Sequence, residues 1–340
     1  MKHPRKVTVG IPVYNVEKYI VRCLESVINQ DYPYIDILIM YDESSDRSLE
    51  IAKKALSSSK IKYSVLLNKS GKSSLGIARN LMLKNFEGDY LIFLDSDDFL
   101  EPGCISHLVS LSQKYNADIV KSSHRCLDES GIILEEKVYP KEEVFENNEF
   151  KENLYMRNYF HSYYSWNKLY KRSFLTENQM HYKHDVVEDV FFNFNEIENA
   201  KKIVVTPNIT YNYLERPDSL TNVEASFNKI NVYVDNKKFI NDFYRNNKNL
   251  YAYCCKIDIF IMTYIMVIRD GFASSLISKK NKFQLLHQAF ETPKLPFNLY
   301  WSLIYYKSWK VALILMVKYL SFSVNLKIVN FYHLYKGNKV

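Results

Sequence analysis

Hydrophobic and polar positions change their period repeatedly along the first hundred residues of the chain. Short apolar, β-branched runs predict strands, and each is followed by a segment with apolar residues at i, i+3 and i+4, which predicts a helix. This alternation favours an α/β fold with a mostly parallel sheet flanked by crossover helices. The predicted strands are residues 6–12, 35–41, 63–67 and 90–94, and the predicted helices are residues 16–30, 45–57 and 75–85.

The regular alternation ends shortly after residue 100. Beyond it the pattern predicts a helix at 104–115, a strand at 118–122 and a charged loop or linker at 140–153. Residues 154–222 have a mixed pattern with many aromatic side chains. From about residue 225 the pattern is helical to the end, so we expect a helical C-terminal region after the α/β part.

An acidic cluster follows the fourth predicted strand and contains Asp95, Ser96, Asp97 and Asp98. Open α/β sheets bind ligands at the carboxyl ends of their strands. Carboxylate oxygens suit Mg²⁺ or Mn²⁺, so the cluster is a candidate metal and nucleotide site. Acidic turns after strands are also common loop starts, so the cluster alone leaves a structural role open.

Other strand and helix positions carry candidate ligands for a nucleotide. Pro12 and Tyr14 stand at the exit of the first strand, where an exposed Tyr can stack on a base or simply occupy a turn. Asp42 follows the second strand and can accept a hydrogen bond from a pyrimidine N3–H. Arg79, on the third helix, matches phosphate geometry, although a solvated helix face is the alternative.

Composition and cysteine usage limit the class of protein. The chain has 340 residues, enough for roughly two domains, and is 47% hydrophobic, as expected for a folded core. Its five cysteines are odd in number and scattered, which argues against a disulfide framework and for a reducing compartment. No signal-peptide pattern is present, and the longest apolar run, 311–317, is too short to span a bilayer. These features predict a cytoplasmic location.

The net charge of +7 is concentrated near the end of the chain, where residues 290–340 carry seven lysines and one acid, Glu291. Residues 299–321 are aromatic and basic, with Lys307, Lys310 and Lys318 on one side of a helical projection. This pattern suits a helix on an anionic membrane surface and favours a membrane over a nucleic acid as the partner. A buried helix with one solvated stripe and a homo-oligomer contact are the alternatives.

Four motifs in sequence order carry a resemblance to a known family. They are Ile-Pro-Val-Tyr-Asn at 11–15, Asp-x-Ser-x-Asp at 42–46, Ala-Arg-Asn at 78–80 and Asp-x-Asp-Asp at 95–98. Together they resemble the family 2 nucleotide-sugar glycosyltransferases of GT-A fold, closely over residues 6–103 and more loosely over 104–222. The resemblance implies a nucleotide-sugar-binding half at 1–103, an acceptor-binding half at 104–224 and a separate helical region at 225–340.

The resemblance also implies roles for individual residues on the donor side. Tyr14 would stack on uracil and Asp42 would hydrogen-bond its edge. Arg79 would contact the nucleotide or diphosphate, Asp95 the ribose and Asp97 a Mn²⁺ or Mg²⁺ ion, with Pro12 and Ser96 in the same substrate-binding set. Glu43 stands where the family usually has Gly.

Downstream motifs resemble the catalytic and acceptor side of the family. Glu188 and Asp189 resemble its acidic pair, in which Asp189 would be the catalytic base, with Asp185 as the fallback; acids also favour any helix N-terminus. Trp166 resembles an acceptor-side residue, although a core Trp is the commoner role. Arg216 and Ser219 resemble donors in a loop that closes over the diphosphate. We interpret His181 and His184 as ordinary loop residues.

The implied activity is metal-dependent, inverting transfer of a hexosyl or N-acetylhexosaminyl group from a UDP-sugar. The acceptor would be a hydroxyl of a glycan or lipid-linked oligosaccharide in bacterial surface polysaccharide synthesis, with the enzyme peripheral on the inner face of the cell membrane. Two alternatives are a nucleotidyltransferase and a non-catalytic sugar or membrane adaptor that retains the fold. The first normally has a Gly-rich basic phosphate loop, which residues 10–14 do not form.

Overall fold

The structure is a computed structural model. It describes residues 5–70, 74–146, 164–183, 188–216, 226–246 and 274–290, with a few single positions between 256 and 270. The chain divides into two compact units, one made of residues 1–151 and 159–219 and the other of residues 152–158 and 220–340.

The first unit begins with the predicted alternation of strands and helices. Its early elements are β1 (Val7–Val13), α1 (Ile20–Ile28), β2 (Ile35–Tyr41), α2 (Ser48–Ser57), β3 (Lys62–Leu67), α3 (Leu75–Asn85), β4 (Tyr90–Phe93) and β5 (Phe99–Leu100). Each predicted strand and helix of this part is present within a few residues of its expected ends. The first two helices begin later than predicted, because residues 14–17 and 44–48 hydrogen-bond to one another in the loops that precede them.

The later elements of the first unit are α4 (Cys104–Tyr115), β6 (Ile119–Leu127), β7 (Ile133–Lys137), β8 (Glu143–Glu146), β9 (Lys168–Lys171), α5 (Arg172–Glu177), α6 (Glu188–Asn199) and β10 (Lys202–Leu214). Several of these strands were not predicted from the hydrophobic pattern. The loop prediction for residues 140–153 was wrong at β8. This strand pairs antiparallel with β10, and such a partner, distant in sequence, leaves no periodic signal in a four-residue strand.

One sheet connects all ten strands of the first unit. Its main path is β3-β2-β1-β4-β9-β6-β10-β5, with β7 paired to β6 and β8 to β10. Strands β1 to β4 are mutually parallel where they pair, and β9 runs antiparallel to both β4 and β6. Strands β6 and β10 therefore run in the same direction as β4. The mostly parallel α/β sheet that the sequence predicts is confirmed, and its parallel strands bring their carboxyl ends to one edge.

The core of the first unit lies between this sheet and its flanking helices. Strands β1 and β4 are almost wholly buried, as expected for central strands covered on both faces. Helix α1 buries Ile20, Cys23, Leu24 and Val27 against the same cluster. The rigid core therefore reaches up to the residues at which β1, β2 and β4 end.

The second unit contains α7 (Phe227–Phe243) and α8 (Lys279–Phe290). Ile230 and Val234 of α7 pack with Val267, Ile277 and Leu285 in a small apolar cluster of its own. The helical character predicted beyond residue 225 holds for these two helices. Within the described residues no helix combines the length and apolarity needed to cross a membrane, and the basic segment 299–321 lies outside them.

Candidate active site

The predicted nucleotide side of the site lies where β1 and β2 end. The Asp42 amide donates to the Val13 carbonyl (3.1 Å), so Tyr14 and Asp42 follow neighbouring strands at one edge. Tyr14 is 49% exposed, whereas Asp42 is buried. Pro12 is half-buried within β1 and pairs in register with Met40. An exposed ring beside a buried carboxylate is an arrangement that can stack on a base and accept from its edge.

Asn15 holds the loop that follows Asp42. Its side-chain oxygen accepts from the Ser45 amide (2.9 Å), and its own amide donates to the Ser44 hydroxyl (3.2 Å). The left-handed residue is Asn15, with φ of 51°, whereas Glu43 is not among the described residues with positive φ. Glu43 therefore replaces the usual Gly without backbone strain, because its position does not need glycine's freedom.

The three aspartates after β4 have three different environments. Asp95 Oδ1 accepts from Arg79 Nη2 at 2.9 Å, and Asp97 Oδ2 accepts from Arg216 Nε at 2.7 Å. Asp98 is fully buried and accepts from the Tyr211 hydroxyl (2.6 Å) and the Leu214 amide (2.8 Å). Asp98 therefore fixes the loop to β10, whereas Asp95 and Asp97 are each about one-fifth exposed.

Burial and mutual repulsion make this cluster costly to ionise. Burial, followed by the charge of Asp95, raises the pKa of Asp97 above its usual range. Burial and the neighbouring Asp97 raise the pKa of Asp98 further. Such shifts are typical of sites arranged to receive positive charge, because a bound cation would favour the ionised forms.

Arg79 is the centre of a buried ion cluster that joins the strand-end acids to α6. Its Nη1 contacts Glu188 Oε1 and Asp189 Oδ1, both at 2.7 Å, and its Nη2 contacts Asp95. The side chain is 1% exposed. Burial opposes its charge, but the carboxylates of Asp189 and Asp95 outweigh this and hold the pKa of Arg79 well above its ordinary value. The structure thus places Arg79 behind the acids.

The acidic pair predicted from sequence lies on the first turn of α6. Asp189 is about one-fifth exposed, and its Oδ1 accepts from the Ser165 hydroxyl at 2.5 Å in addition to Arg79. Glu188 is more deeply buried, and burial together with Asp189 raises its pKa to about 8. Burial therefore disfavours the ionised form of Glu188, and Asp189, the more exposed of the two, is better placed to act as a base.

A second buried ion pair, between Lys168 and Glu196, joins β9 to α6. Lys168 Nζ contacts Glu196 at 2.8 Å and the side-chain oxygen of Asn193 at 2.5 Å. Asn193 in turn donates to the main-chain oxygen of Asp189 at 2.8 Å. Burial lowers the pKa of Lys168 to about 8. Sequence reasoning missed this cluster and Ser165, because their partners are 24 to 28 residues apart and no motif links them.

Trp166 lies in an aromatic stack. Its ring is parallel to Tyr164 on one side and to Tyr211 and Tyr213 on the other, with centroids 4.3, 4.7 and 5.5 Å away. Because the residue is 4% exposed, its described position is that of a core Trp. A direct contact between Trp166 and a sugar stays a prediction, and the half-buried Tyr164 and Tyr213 are the nearest rings to solvent.

Arg216 lies at the end of β10 and faces the donor side. Its guanidinium lies over the Tyr19 ring, 5.2 Å from the centroid, while its Nε contacts Asp97. The Tyr19 hydroxyl donates to Glu129 at 2.6 Å. Ser219, Asp185 and His184 lie outside the described residues, and His181 is an exposed loop residue.

The carboxylates at this edge suit a cation that arrives with its substrate. In the part of the chain that the structure describes, no three His, Cys, Asp or Glu side chains converge to hold a metal ion by themselves. Asp95 is paired with Arg79, Asp97 with Arg216 and Asp98 with β10, and Asp95 and Asp97 each remain about one-fifth exposed. One carboxylate plus substrate phosphates is a usual way to bind Mg²⁺, so the residues present fit such a site.

Comparison with known proteins identifies the class. The family model described as "Glycosyl transferase family 2" matches residues 8–178, which is half of the chain. The chain belongs to this family, as the four motifs indicated. The match spans β1 to β9, including the acids after β4 and the Ser165–Lys168 segment. Family membership favours glycosyl transfer over nucleotidyl transfer.

Two named relatives match part of this chain. "Glycosyltransferase GlyA" of Streptococcus pneumoniae is 33% identical over 64% of this chain and 32% of its own length. The "Poly(ribitol-phosphate) beta-glucosyltransferase" of Bacillus spizizenii is 31% identical over 63% of this chain and 33% of its own. The chain thus spans about a third of the length that these relatives have.

A solved structure shares the fold. The crystal structure of S. aureus TarS 1-349 in complex with UDP-GlcNAc superposes with a TM-score of 0.65, covering 87% of this chain and 83% of that one. Sequence identity between the two is 18%. This likeness confirms the GT-A architecture predicted from the sequence.

Proposed function

We propose that the protein is an inverting glycosyltransferase that moves a sugar from a UDP-sugar to a hydroxyl of a bacterial surface polymer. One observation carries the proposal: Arg79 binds the strand-end acid Asp95 and the helix-start acid Asp189 at once, at 2.9 and 2.7 Å. The Arg79 guanidinium therefore joins Asp95, the carboxylate assigned to the donor, to Asp189, the partly exposed carboxylate assigned as the base. The TarS complex with UDP-GlcNAc and the surface-polymer relatives support the choice of donor and acceptor.

The proposed reaction is a single displacement. Asp189 takes the proton of the acceptor hydroxyl while that oxygen bonds to the anomeric carbon. The bond from the anomeric carbon to the diphosphate oxygen breaks on the opposite face, and UDP leaves. Glu188 is more deeply buried than Asp189 and is paired with Arg79, so no proton transfer is assigned to it.

The donor is held by the residues at the other strand ends. Tyr14 stacks on the uracil and Asp42 accepts from its edge, with Asp95 directed at the ribose. Arg216 neutralises part of the diphosphate charge, and its position over Tyr19 keeps the guanidinium near Asp97. Arg79 is assigned to the acids, because its guanidinium is buried among them.

Asp97 would hold a Mn²⁺ or Mg²⁺ ion together with the diphosphate. When bound, such an ion stabilises the negative charge that develops on the leaving group. Because no three metal-ligating side chains converge among the described residues, the ion should bind with the nucleotide and weakly without it. The identity of the acceptor, the association with the inner membrane surface and the domain boundaries at 103 and 224 stay predictions.

The test is donor turnover with and without metal. The protein is incubated with UDP-glucose, UDP-galactose, UDP-N-acetylglucosamine or UDP-N-acetylgalactosamine in Mn²⁺ or in EDTA, and UDP release is followed. We expect Mn²⁺-dependent release from one donor, its loss in Asp97→Asn, and no change in Asp31→Asn, which alters an exposed aspartate that binds Ser106. Release from no donor, or equal release in EDTA, contradicts the donor or the metal assignment.

Metal binding is measured separately by calorimetry. We expect Mn²⁺ to bind measurably in the presence of UDP and at least tenfold more weakly in its absence. Equal Mn²⁺ affinity with and without UDP would mean that a complete protein site exists, and would contradict the role given to Asp97.

A further inference from the structure

Ser165 is a buried hydroxyl that contacts the proposed base and has no role in the assignments above. It is fully buried, and its Oγ donates to Asp189 Oδ1 at 2.5 Å. The same carboxylate oxygen accepts from Arg79 Nη1 at 2.7 Å. Two donors therefore converge on one oxygen of the carboxylate. Among the residues described, none donates a hydrogen bond to the other oxygen, Oδ2.

The backbone around Ser165 is fixed on both sides. Its carbonyl accepts from the Tyr170 hydroxyl at 3.1 Å. Asn167, in the left-handed region with φ of 55°, receives the Ser122 amide on its carbonyl (3.1 Å) and donates its side-chain amide to the Ser122 carbonyl (2.7 Å). These bonds tie the turn that carries Ser165 to β6. The hydroxyl is therefore held against α6. Because this donor is already fixed in place, its hydrogen bond to Asp189 costs little conformational entropy.

The two hydrogen bonds to Oδ1 decide which oxygen of Asp189 can take a proton. A carboxylate oxygen has two lone pairs, and hydrogen bonds to the ionised form stabilise it. With Oδ1 occupied by Ser165 and Arg79, the available lone pairs are those of Oδ2. We infer that Ser165 is a positioning residue for the base: together with Arg79 it orients the Asp189 carboxylate so that Oδ2 faces the acceptor hydroxyl. This inference rests on the proposed function, because it deepens the role given to Asp189.

A merely structural hydroxyl would behave differently. Removing it would lower the melting temperature and leave turnover per folded molecule unchanged. A positioning hydroxyl should instead affect kcat, since it acts on the base in the transition state, while the KM for the donor stays the same. Donor binding should be unaffected because the described contacts of Ser165, with Asp189, Tyr170 and Tyr182, include none of the proposed donor-binding residues.

The experiment compares Ser165→Ala with a matched control, Ser112→Ala. Ser112 is also a buried serine, its Oγ donates to the Ala117 carbonyl (3.1 Å), and it lies on α4 away from the site. We expect kcat in Ser165→Ala to be about 10- to 100-fold below that in Ser112→Ala, the range for a hydrogen bond to a charged group. The KM for the donor and the Kd for UDP should agree within about twofold.

Two further substitutions grade the effect. Ser165→Thr keeps the hydroxyl and should restore most of kcat. Should the extra methyl group not fit, Ser165→Cys supplies a weaker donor and should give an intermediate kcat. Equal kcat in Ser165→Ala and Ser112→Ala, or a loss that Thr and Cys do not reverse at all, overturns the inference.

A thermal double-mutant cycle separates this inference from the proposed function. Melting temperatures are measured for Ser165→Ala, Asp189→Ala and the double variant. We expect the double variant to lose less than the sum of the two single shifts, because the two residues share one interaction. Additive shifts overturn the inference whatever the activity. If the wild-type protein transfers no sugar, the proposed function fails, and this cycle alone decides whether Ser165 holds Asp189.

Discussion

The two sides of the site are fixed by different interactions. On the nucleotide side, Tyr14 is half exposed, and the loop after Asp42 is held by hydrogen bonds of Asn15 and of the Asp46 carboxylate. On the base side, Asp189 is fixed by a buried arginine and a buried serine. The exposed Tyr14 can be changed without disturbing the core, whereas the base side is part of it. Substitutions on the two sides should therefore separate binding from stability.

The largest expected effect is the loss of the arginine that joins the acids. Arg79→Met leaves Asp95, Glu188 and Asp189 without their shared countercharge in a buried site. We expect the free energy of unfolding to fall by about 3–5 kcal/mol in urea denaturation, with loss of turnover. The control is Arg125→Met, whose partly exposed ion pairs at 3.6 and 3.7 Å should contribute about 1 kcal/mol or less. Equal losses in the two variants would contradict the central position of Arg79.

A comparable loss is expected at the ion pair beneath the base. Lys168→Met leaves the buried Glu196 without its ion-pair partner. We expect the free energy of unfolding to fall by about 3–5 kcal/mol in the same urea denaturation. Adding Glu196→Gln removes the stranded charge and should recover part of that loss. A double variant no more stable than Lys168→Met would show that packing, and not charge, is what Lys168 supplies.

On the nucleotide side the effect should be on binding alone. Tyr14→Ala removes a stacking surface that contributes about 1–3 kcal/mol, so the Kd for UDP should rise about 5- to 100-fold by calorimetry. The melting temperature should not change, because the ring is 49% exposed. Tyr14→Phe keeps the ring and should bind UDP as the wild type does. Wild-type affinity in Tyr14→Ala would remove Tyr14 from the donor site.

The smallest effect concerns the pH dependence of stability through Glu188. Its pKa is raised from 4.5 to about 8 in the folded protein, so between these values the folded state holds a proton that the unfolded state releases. Its contribution to stability is therefore greatest at low pH and declines as the pH rises through this interval. Glu188→Gln removes the decline. Its melting temperature relative to the wild type should rise by several degrees from pH 5 to pH 8. A difference independent of pH would contradict the raised pKa.

The same contrast explains how much could be predicted from the sequence. The strand-end motifs at Tyr14, Asp42 and Asp95–Asp98 are local, since each follows an apolar run whose periodicity identifies the strand. The parallel sheet then places them at one edge. For these reasons the fold of the first hundred residues agrees with the sequence-based expectation, whereas the donor-side roles stay predictions.

The base side depends on contacts that periodicity does not encode. Arg79 and Asp189 are 110 residues apart, and a charged residue on a helix is expected on the solvent face unless its partner is known. The pairings of β8 with β10 and of β9 with β4 and β6 are equally distant in sequence. The sequence therefore indicated Arg79 as a phosphate ligand, whereas the structure places it behind the acids.

The most direct test of the account is the activity of Asp189→Asn. This variant removes the base and keeps the shape of the side chain. We expect turnover of the preferred UDP-sugar to fall at least about 100-fold, the scale of general-base catalysis, with the Kd for UDP within about twofold of the wild type. Turnover within about threefold of the wild type, at unchanged UDP affinity, would contradict the assignment of Asp189 as the catalytic base.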